Sequence, residues 1–169
     1  MSDLTCEQYL QVRSQDWQRQ GFDPLPASTE AETVFRRRRF SLTKFGVVDT
    51  FCIARCFEDI LSEGQIETFS SNAFRFALKN KFFLPRGLGG QVVAYPLLIA
   101  ESVSSSARQF ITRQYNPKHW SSFEFPVVFE LSTGQLLFYQ STPAWGAAYY
   151  RSFRTEAETL FTHRLASGG

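Results

Sequence analysis

The sequence predicts a single α+β domain, in which about four helices pack on a mixed, mostly antiparallel sheet of about five strands. The length of 169 residues fits one domain. Apolar and polar residues alternate on both sides of a turn over residues 123–140, which is typical of a hairpin. The predicted order is helix, two strands, helix, strand, helix, two strands, helix. This order favours local antiparallel pairing with one crossover connection.

The chain opens with a polar segment that predicts a helix over residues 5–20. Thr5 and Gln8 have the spacing of a capping box, which satisfies free amides at a helix start. Residues 21–31 contain two prolines, which lack backbone donors and disfavour a helix before them. This segment is therefore predicted to be a connector that leads into the α+β core at 32–165.

The first half of the core predicts a strand pair followed by a helix. β-Branched and aromatic residues on either side of a turn at 44–46 favour two strands. The second strand, 47–54, is nearly continuous apolar, as expected of a central strand covered on both faces. Ser62 and Gln65 form a second capping-box pattern and open a helix that ends near residue 80.

The second half of the core predicts one strand, a short helix and the final hairpin and helix. Residues 92–100 have strand composition, but Pro96 cannot donate to a ladder, so an edge position or a bulge is expected. Residues 104–115 predict the short helix. Thr142 is the predicted cap of the last helix, and Pro143 is its first residue. Its apolar stripe is Trp145, Tyr149, Phe153, Ala157 and Leu160.

Composition predicts a ring-rich core and a reducing environment. Aromatic residues make up 16% of the chain, including 18 phenylalanines. Cys6, Cys52 and Cys56 show neither paired CxxC spacing nor a disulfide-dense pattern, so they are interpreted as buried small apolar residues. Neither a secretory signal nor an apolar run long enough for a membrane span is visible, and residues 166–169 are expected to fray. The sequence therefore predicts a cytoplasmic protein without a membrane partner.

Charge gives little indication of a partner. A formal net charge of +2 is too small to predict nucleic acid or an anionic membrane, which need a clustered basic face. Arg36, Arg37, Arg38 and Arg39 are consecutive, but alternation along a strand divides them between its two faces. The run is interpreted as protection of an exposed sheet edge. Contact of one pair with nucleic-acid phosphates is the disfavoured alternative.

A glycine-rich loop is a candidate rim for an anionic ligand. Arg86, Gly87 and Gly89 offer a guanidinium and relaxed amides that could surround an anion. Phosphate loops follow a strand and open a helix, whereas this loop follows a helix and leads into a strand. The pattern therefore favours a flexible connection, with the anion rim as the alternative.

Asp49 stands out because it interrupts an apolar strand. An unpaired buried carboxylate is costly, so a partner is expected among Arg55, Arg86 and the run of four arginines. The alternative is a metal-binding pair formed by Asp49 and Glu101, as in metal-dependent nucleases. No acid-x-lysine pattern of the common restriction type supports it, so a structural ion pair is favoured.

His119 and Trp120 precede the predicted hairpin and are candidate recognition residues. Rings with polar tips are enriched at binding surfaces, although a lone histidine lacks the nucleophile or orienting acid that catalysis needs. Ordinary loop packing is the competing interpretation.

The sequence predicts a non-catalytic binding or protein-interaction domain that needs no cofactor. It would recognise a small anionic ligand or a partner protein, and self-association is left open. The alternative is a metal-dependent hydrolase or nuclease-like enzyme, which is disfavoured because no reactive set of residues is complete. The candidate ligand-binding residues are Asp49, Arg86, Gly87, Gly89, His119 and Trp120.

Overall fold

A computed structural model describes residues 4–42, 46–85, 88–143 and 147–163. Within these ranges it confirms the predicted class, a single α+β domain with four α-helices on a mixed seven-stranded sheet. The helices are α1 (Cys6–Arg19), α2 (Glu63–Lys79), α3 (Ser105–Gln109), which continues into a π-helical turn (Phe110–Gln114), and α4 (Ala147–Phe161). The strands are β1 (Asp23–Leu25), β2 (Glu32–Ser41), β3 (Gly46–Phe57), β4 (Gly90–Ala100), β5 (Ser122–Glu124), β6 (Val127–Glu130) and β7 (Gln135–Leu137).

The sheet has the order β1-β2-β3-β4-β6-β7, and β5 also pairs with β4. The predicted strand pair is the antiparallel β2–β3 hairpin, and β3 is central, as its apolar run indicated. The chain then crosses through α2 to β4, which lies parallel to β3 and confirms the predicted crossover. A second crossover through α3 places β5 and β6 parallel to β4, and β6 turns back into β7.

The expectation that Pro96 marks an edge strand is wrong, because β4 pairs on both sides. The Ala94 carbonyl accepts from the Phe125 amide, so alternate residues of β4, Pro96 among them, face β5 and β6. Pairing is interrupted at this point, since β5 ends at Glu124 and β6 begins at Val127. The missing proline donor therefore falls opposite a break in the neighbouring strand.

The predicted connector contains a short strand. Within residues 21–31, β1 pairs antiparallel with β2, and Pro24 lies opposite Phe35. An edge strand bonds on one side only, so a proline there need not break the ladder. Phe22, which precedes β1, is buried in the core. The prolines predicted the absence of a helix correctly and the absence of a strand wrongly.

Both predicted capping boxes are present. Thr5 and Gln8 exchange hydrogen bonds at the start of α1, and Ser62 and Gln65 do so at the start of α2. The last helix is less completely described: Thr142 and Pro143 lie before its described start, and residues 144–146 fall outside the described part. Its predicted stripe is buried at Phe153, Ala157 and Leu160, whereas Tyr149 is largely exposed and Trp145 is not described.

The helix α1 is held against the last turn of α4 by three side chains. A helix end leaves carbonyls without intrahelical partners, and these side chains supply the donors. Burial raises the pKa of the Tyr9 phenol, so it stays protonated and donates. Tyr9, Trp17 and Arg13 donate over 2.5, 2.9 and 2.8 Å to the carbonyls of Phe161, Leu160 and Thr162, in that order.

Two apolar layers cover the sheet. The layer beneath α1 and α4 is rich in rings, which confirms the aromatic core that composition predicted. The layer beneath α2 and α3 is mainly aliphatic with a few phenylalanines. In the described part of the chain, no helix is both long and apolar enough to cross a membrane.

The interpretation of the cysteines as three free thiols is wrong, because Cys6 and Cys56 form a disulfide with their Cα atoms 6.2 Å apart. The bond ties the start of α1 to the end of β3, two places that are 50 residues apart in sequence. It also argues against the reducing compartment that the spacing favoured. Cys52 is free and buried, as predicted.

A buried carboxylate stabilises the last hairpin. Glu130 accepts from the Arg108 guanidinium at 2.6 Å, the Thr133 hydroxyl at 2.7 Å and the Val103 amide at 3.0 Å. Burial raises the pKa of Glu130, but these hydrogen bonds outweigh it and leave the pKa below its ordinary value. Gly134, at φ +67°, supplies the left-handed residue that closes the turn.

Removing the disulfide should lower the free energy of unfolding by about 4 kcal/mol, because a bond that closes a loop of 50 residues restricts the unfolded chain. The Cys6→Ser/Cys56→Ser double variant should therefore unfold at lower urea concentration than the wild type. Dithiothreitol should destabilise the wild type and leave the double variant unchanged. Equal urea midpoints for the wild type and the double variant, each with and without dithiothreitol, would show that the disulfide does not stabilise the fold.

The lowered pKa of Glu130 predicts a stabilisation that depends on pH. A carboxyl group with a lowered folded pKa stabilises above its ordinary pKa of about 4.3, and the effect is lost as pH falls through the folded value. Glu130→Gln should lose about 1 to 2 kcal/mol of unfolding free energy at pH 7. Below about pH 4 the difference from wild type should shrink. Exposed Glu67→Gln is the control, and a difference that is independent of pH would refute the assignment.

Candidate functional site

A cavity of about 190 Å³ lies between the segment around β5 and the first turns of α4. One wall consists of rings and the other carries polar side chains, an arrangement common in small-molecule sites. Its ring residues are Phe123, Phe125, Tyr149, Tyr150 and Phe153. Its polar residues are Lys118, His119, Ser122 and Glu124, and Pro117 completes the lining.

Local backbone geometry places the polar wall. In β5, Ser122 and Glu124 point to one face of the sheet and Phe123 to the other, because side chains alternate along a strand. Ser121 has φ +52°, which is uncommon for a residue other than glycine. A bridge between His119 and Ser122 then turns the chain back on itself. The imidazole is thereby brought beside the strand that carries Glu124.

Glu124 is the electrostatic centre of the site. Its side chain is 2% exposed and accepts from Ser70 Oγ at 2.5 Å, Tyr115 Oη at 3.1 Å and His119 Nε2 at 2.7 Å. Burial and the carboxylate together raise the pKa of Tyr115 to about 12, so its hydroxyl remains a donor at neutral pH. Because a carboxylate only accepts, Nε2 of His119 is the donor, and Nδ1 remains for a ligand. The imidazole also stacks on Phe74, with centroids 3.9 Å apart, which fixes its orientation.

Ser122 provides an unsatisfied polar group. The residue is 1% exposed, and its Oγ has no hydrogen-bond partner among the described residues. A buried hydroxyl without a partner is disfavoured by roughly 1 to 3 kcal/mol, so its presence needs an explanation. Ser122 borders the cavity, but its side chain points to the face of the sheet opposite Phe123 and the rings of α4, so the hydroxyl does not open into the cavity.

The site lacks a complete catalytic set. Glu124 orients His119 as an acid orients a base, but Ser122 makes no hydrogen bond to the imidazole, so a nucleophile is not engaged. Over the described ranges, no group of three or more histidine, cysteine, aspartate or glutamate side chains could hold a metal ion.

Asp49 forms the structural ion pair that the sequence favoured. The residue is 1% exposed and lies directly opposite Arg38 across the β2–β3 pair. The Arg38 guanidinium donates twice to it, at 2.6 and 3.2 Å, and the Phe82 amide donates to the same carboxylate. Its acceptor capacity is therefore used within the fold.

The metal-binding pair of Asp49 and Glu101 does not form. Asp49 lies opposite Val92 near the start of β4, whereas Glu101 follows the end of that strand. Nine residues of extended chain separate these positions by roughly 30 Å. One ion cannot bridge carboxylates at opposite ends of a strand, so Asp49 and Glu101 do not share a metal site.

Two further predicted site residues, Gly89 and Trp120, do not line the cavity. Gly89 borders a separate cleft of about 160 Å³, and Trp120 is 72% exposed at the surface. Arg86 and Gly87 lie outside the described residues. Of the four described members of the predicted set, His119 is the one that lines the cavity.

The four arginines divide between the faces of β2 as alternation predicted. Arg36 and Arg38 reach the α2 side, and Arg37 and Arg39 reach the α1 and α4 side. Arg37 binds Glu156 at 2.5 Å, and Tyr95 donates to the same carboxylate at 2.6 Å. The four arginines therefore supply internal ion pairs as well as surface charge. Protection of a sheet edge does not explain the ion pairs.

Sequence reasoning missed Ser122 and Glu124. Their spacing of two within a strand places them on one face, so alternation could have paired them. It could not have indicated that Ser70 and Tyr115 meet Glu124 from other elements.

Comparison with family models, with curated proteins and with solved structures finds no match for this chain. A functional hypothesis therefore rests on the geometry and chemistry of the site.

Loss of the Arg38 charge should destabilise the fold, because it leaves Asp49 buried without its partner. Arg38→Leu should lower the free energy of unfolding by about 2 kcal/mol, less than for a fully buried pair because Arg38 is partly exposed. Adding Asp49→Asn to this variant should restore part of the loss. Exposed Arg75→Leu is the matched control in urea denaturation. A wild-type midpoint for Arg38→Leu would show that the pair contributes nothing.

Proposed function

We propose that the protein is a binding domain for a small aromatic carboxylate, which it holds in the cavity between β5 and α4. The observation that carries this proposal is a cavity walled by rings that also has Lys118 and His119 in its lining. A non-catalytic role is proposed because the set of reactive groups is incomplete.

The size and lining of the cavity favour a single aromatic ring. An apolar cavity of about 150 Å³ accommodates benzene. At about 190 Å³ this cavity has room for one ring with a small substituent. Phe123 lies 4.8 Å from Phe153 and 5.4 Å from Tyr149, measured between ring centroids. A ligand ring would extend this cluster through stacked or edge contacts.

The polar wall favours an anionic substituent. Lys118 offers an ammonium group, which has three hydrogen-bond donors. Donors of this kind bind carboxylates through charge-assisted hydrogen bonds. Glu124 already accepts three hydrogen bonds, which offsets its repulsion of a second carboxylate. We therefore propose that the small anionic ligand predicted from the sequence is an aromatic carboxylate.

Acid–base catalysis is the second candidate, and the 2.7 Å contact between His119 and Glu124 is the observation that favours it. A base oriented by a buried carboxylate is a common catalytic arrangement. Binding is preferred because Ser122, whose hydroxyl would have to serve as the nucleophile, makes no hydrogen bond to the imidazole.

Calorimetric titration of the full chain with benzoate should show saturable binding. Benzamide and acetate should bind at least tenfold more weakly, because one lacks the charge and the other the ring. Phe123→Leu should weaken benzoate binding severalfold, since a contact between two aromatic rings contributes roughly 0.5 to 1.5 kcal/mol. Phe76→Leu, a partly buried ring outside the site, is the matched control.

Three outcomes would count against this proposal. Benzoate could fail to bind, it could bind no more tightly than acetate, or Phe123→Leu could bind it with unchanged affinity. Hydrolysis of 4-nitrophenyl acetate that is lost in both His119→Gln and Ser122→Ala would instead support the catalytic candidate.

A further inference from the structure

Three connections meet at one end of the sheet. They precede the first residues of β3, β4 and β5, and the pairing of Val47 with Gly90 and of Val92 with Ser122 sets these strand starts side by side. The loop tip is defined here as the described residues of these connections together with the end of β2: 39–42, 80–85, 88–89 and 116–121.

The loop tip is one continuous surface. The Val47 amide donates to the Gly89 carbonyl over 2.7 Å, which joins the first two connections. A Cβ atom on Gly46 would lie 2.1 Å from that carbonyl oxygen, so the approach requires glycine. Ser121, from the third connection, lines the same cleft as Gly46 and Gly89.

Large apolar side chains are concentrated on the loop tip. Five of the eight large exposed hydrophobic residues in the described ranges lie there, and each is at least 69% exposed. Contiguous exposed apolar surface of this kind marks an interaction site. The five residues are Phe40, Leu42, Phe83, Leu88 and Trp120.

The charge of the loop tip is positive. Arg39, Lys81 and Lys118 belong to it, and the sequence of the three connections contains no aspartate or glutamate. Arg38, just beyond it, is already paired with Asp49. The tip therefore combines exposed rings and leucines with cations.

Acidic residues gather at the opposite end of the sheet. Glu58 and Asp59 follow β3, Glu101 follows β4, and Glu32 begins β2. The twelve residues of β3 separate the two ends by roughly 36 Å. The net charge of +2 for the whole chain therefore does not reveal the basic cluster at one end.

We propose that the loop tip docks on an anionic lipid membrane surface. Trp120, Phe83 and Leu88 would enter the boundary between headgroups and acyl chains, where such side chains anchor peripheral proteins. Arg39 and Lys81 would lie near the anionic headgroups, and basic residues at this depth strengthen binding. The acidic end would face away from the membrane. This departs from the expectation of no membrane partner, which rested on the small net charge and on the lack of an apolar run long enough to span a membrane.

Charge and shape favour a membrane over other occupants. Exposed leucines gain little from nucleic acid, which binds through dense cations and stacked bases. Two copies of the chain meeting tip to tip would bring like charges together. The proposal is independent of the cavity ligand, because Arg39, Leu88 and Trp120 do not line the cavity.

Co-sedimentation of the full chain with vesicles tests the proposal. Binding is expected to vesicles of phosphatidylcholine with about one-third phosphatidylserine, at least tenfold more tightly than to phosphatidylcholine alone, and it should weaken as salt rises. Leu88→Ser/Trp120→Ser should reduce binding at least tenfold, and Arg39→Glu should reduce it severalfold. Ile60→Ser, an exposed apolar residue away from the tip, and Arg75→Glu are the matched controls.

A second measurement locates the contact on Trp120. Lipids brominated on their acyl chains should quench tryptophan fluorescence, and Trp120→Phe should bind vesicles while losing part of that quenching. Wild-type thermal unfolding of each variant would show that the fold is retained, as expected for exposed positions.

Several results would overturn the proposal. These are the absence of vesicle binding, equal binding to both vesicle compositions, or equal losses in the tip variants and their controls. A dimer seen by light scattering and abolished by Leu88→Ser/Trp120→Ser would identify a second copy as the occupant instead, and salt-dependent binding of short nucleic acids without vesicle binding would identify nucleic acid.

Discussion

The missing amide hydrogen of Pro96 is the constraint around which the central sheet is organised. It faces the neighbour of β4 at the point where that neighbour is interrupted, between Glu124 and Val127. The interruption divides one stretch of chain into β5, which carries the polar wall of the cavity, and β6, which forms the final hairpin. A continuous strand there would leave a ladder carbonyl without a donor. The cavity and the hairpin thus share one origin.

Three carboxylates on or beside the sheet are matched by donors from other parts of the fold. Asp49 is held by Arg38 and the Phe82 amide, Glu156 by Arg37 and Tyr95, and Glu130 by Arg108, Thr133 and the Val103 amide. Removing one of these donors leaves a buried charge without a partner. These hydrogen-bonded groups therefore favour one placement of the helices on the sheet. Glu124 is different because its histidine partner also borders a cavity, and for this reason the functional argument centres on it.

The cavity and the loop tip meet in residues 116–121. Lys118 and His119 line the cavity, and the next residue, Trp120, is exposed on the loop tip. The two surfaces differ in chemistry: the cavity is small and enclosed by rings, whereas the tip is open and basic. Because Lys118 belongs to both, its substitution cannot separate the two proposals, and Phe123 and Leu88 are the informative positions.

Sequence patterns alone determined what depends on neighbours within a few residues. The capping boxes at Thr5 and Ser62, the division of the arginines and the stripe through Phe153 follow from helix and strand periodicity. They also indicated a partner for Asp49. Only the tertiary structure decided the Cys6–Cys56 bond, the central place of β4, the contacts of Glu124 and the gathering of cations at one end. These depend on which distant segments pair, and pairing is set by long-range packing that local periodicity does not encode.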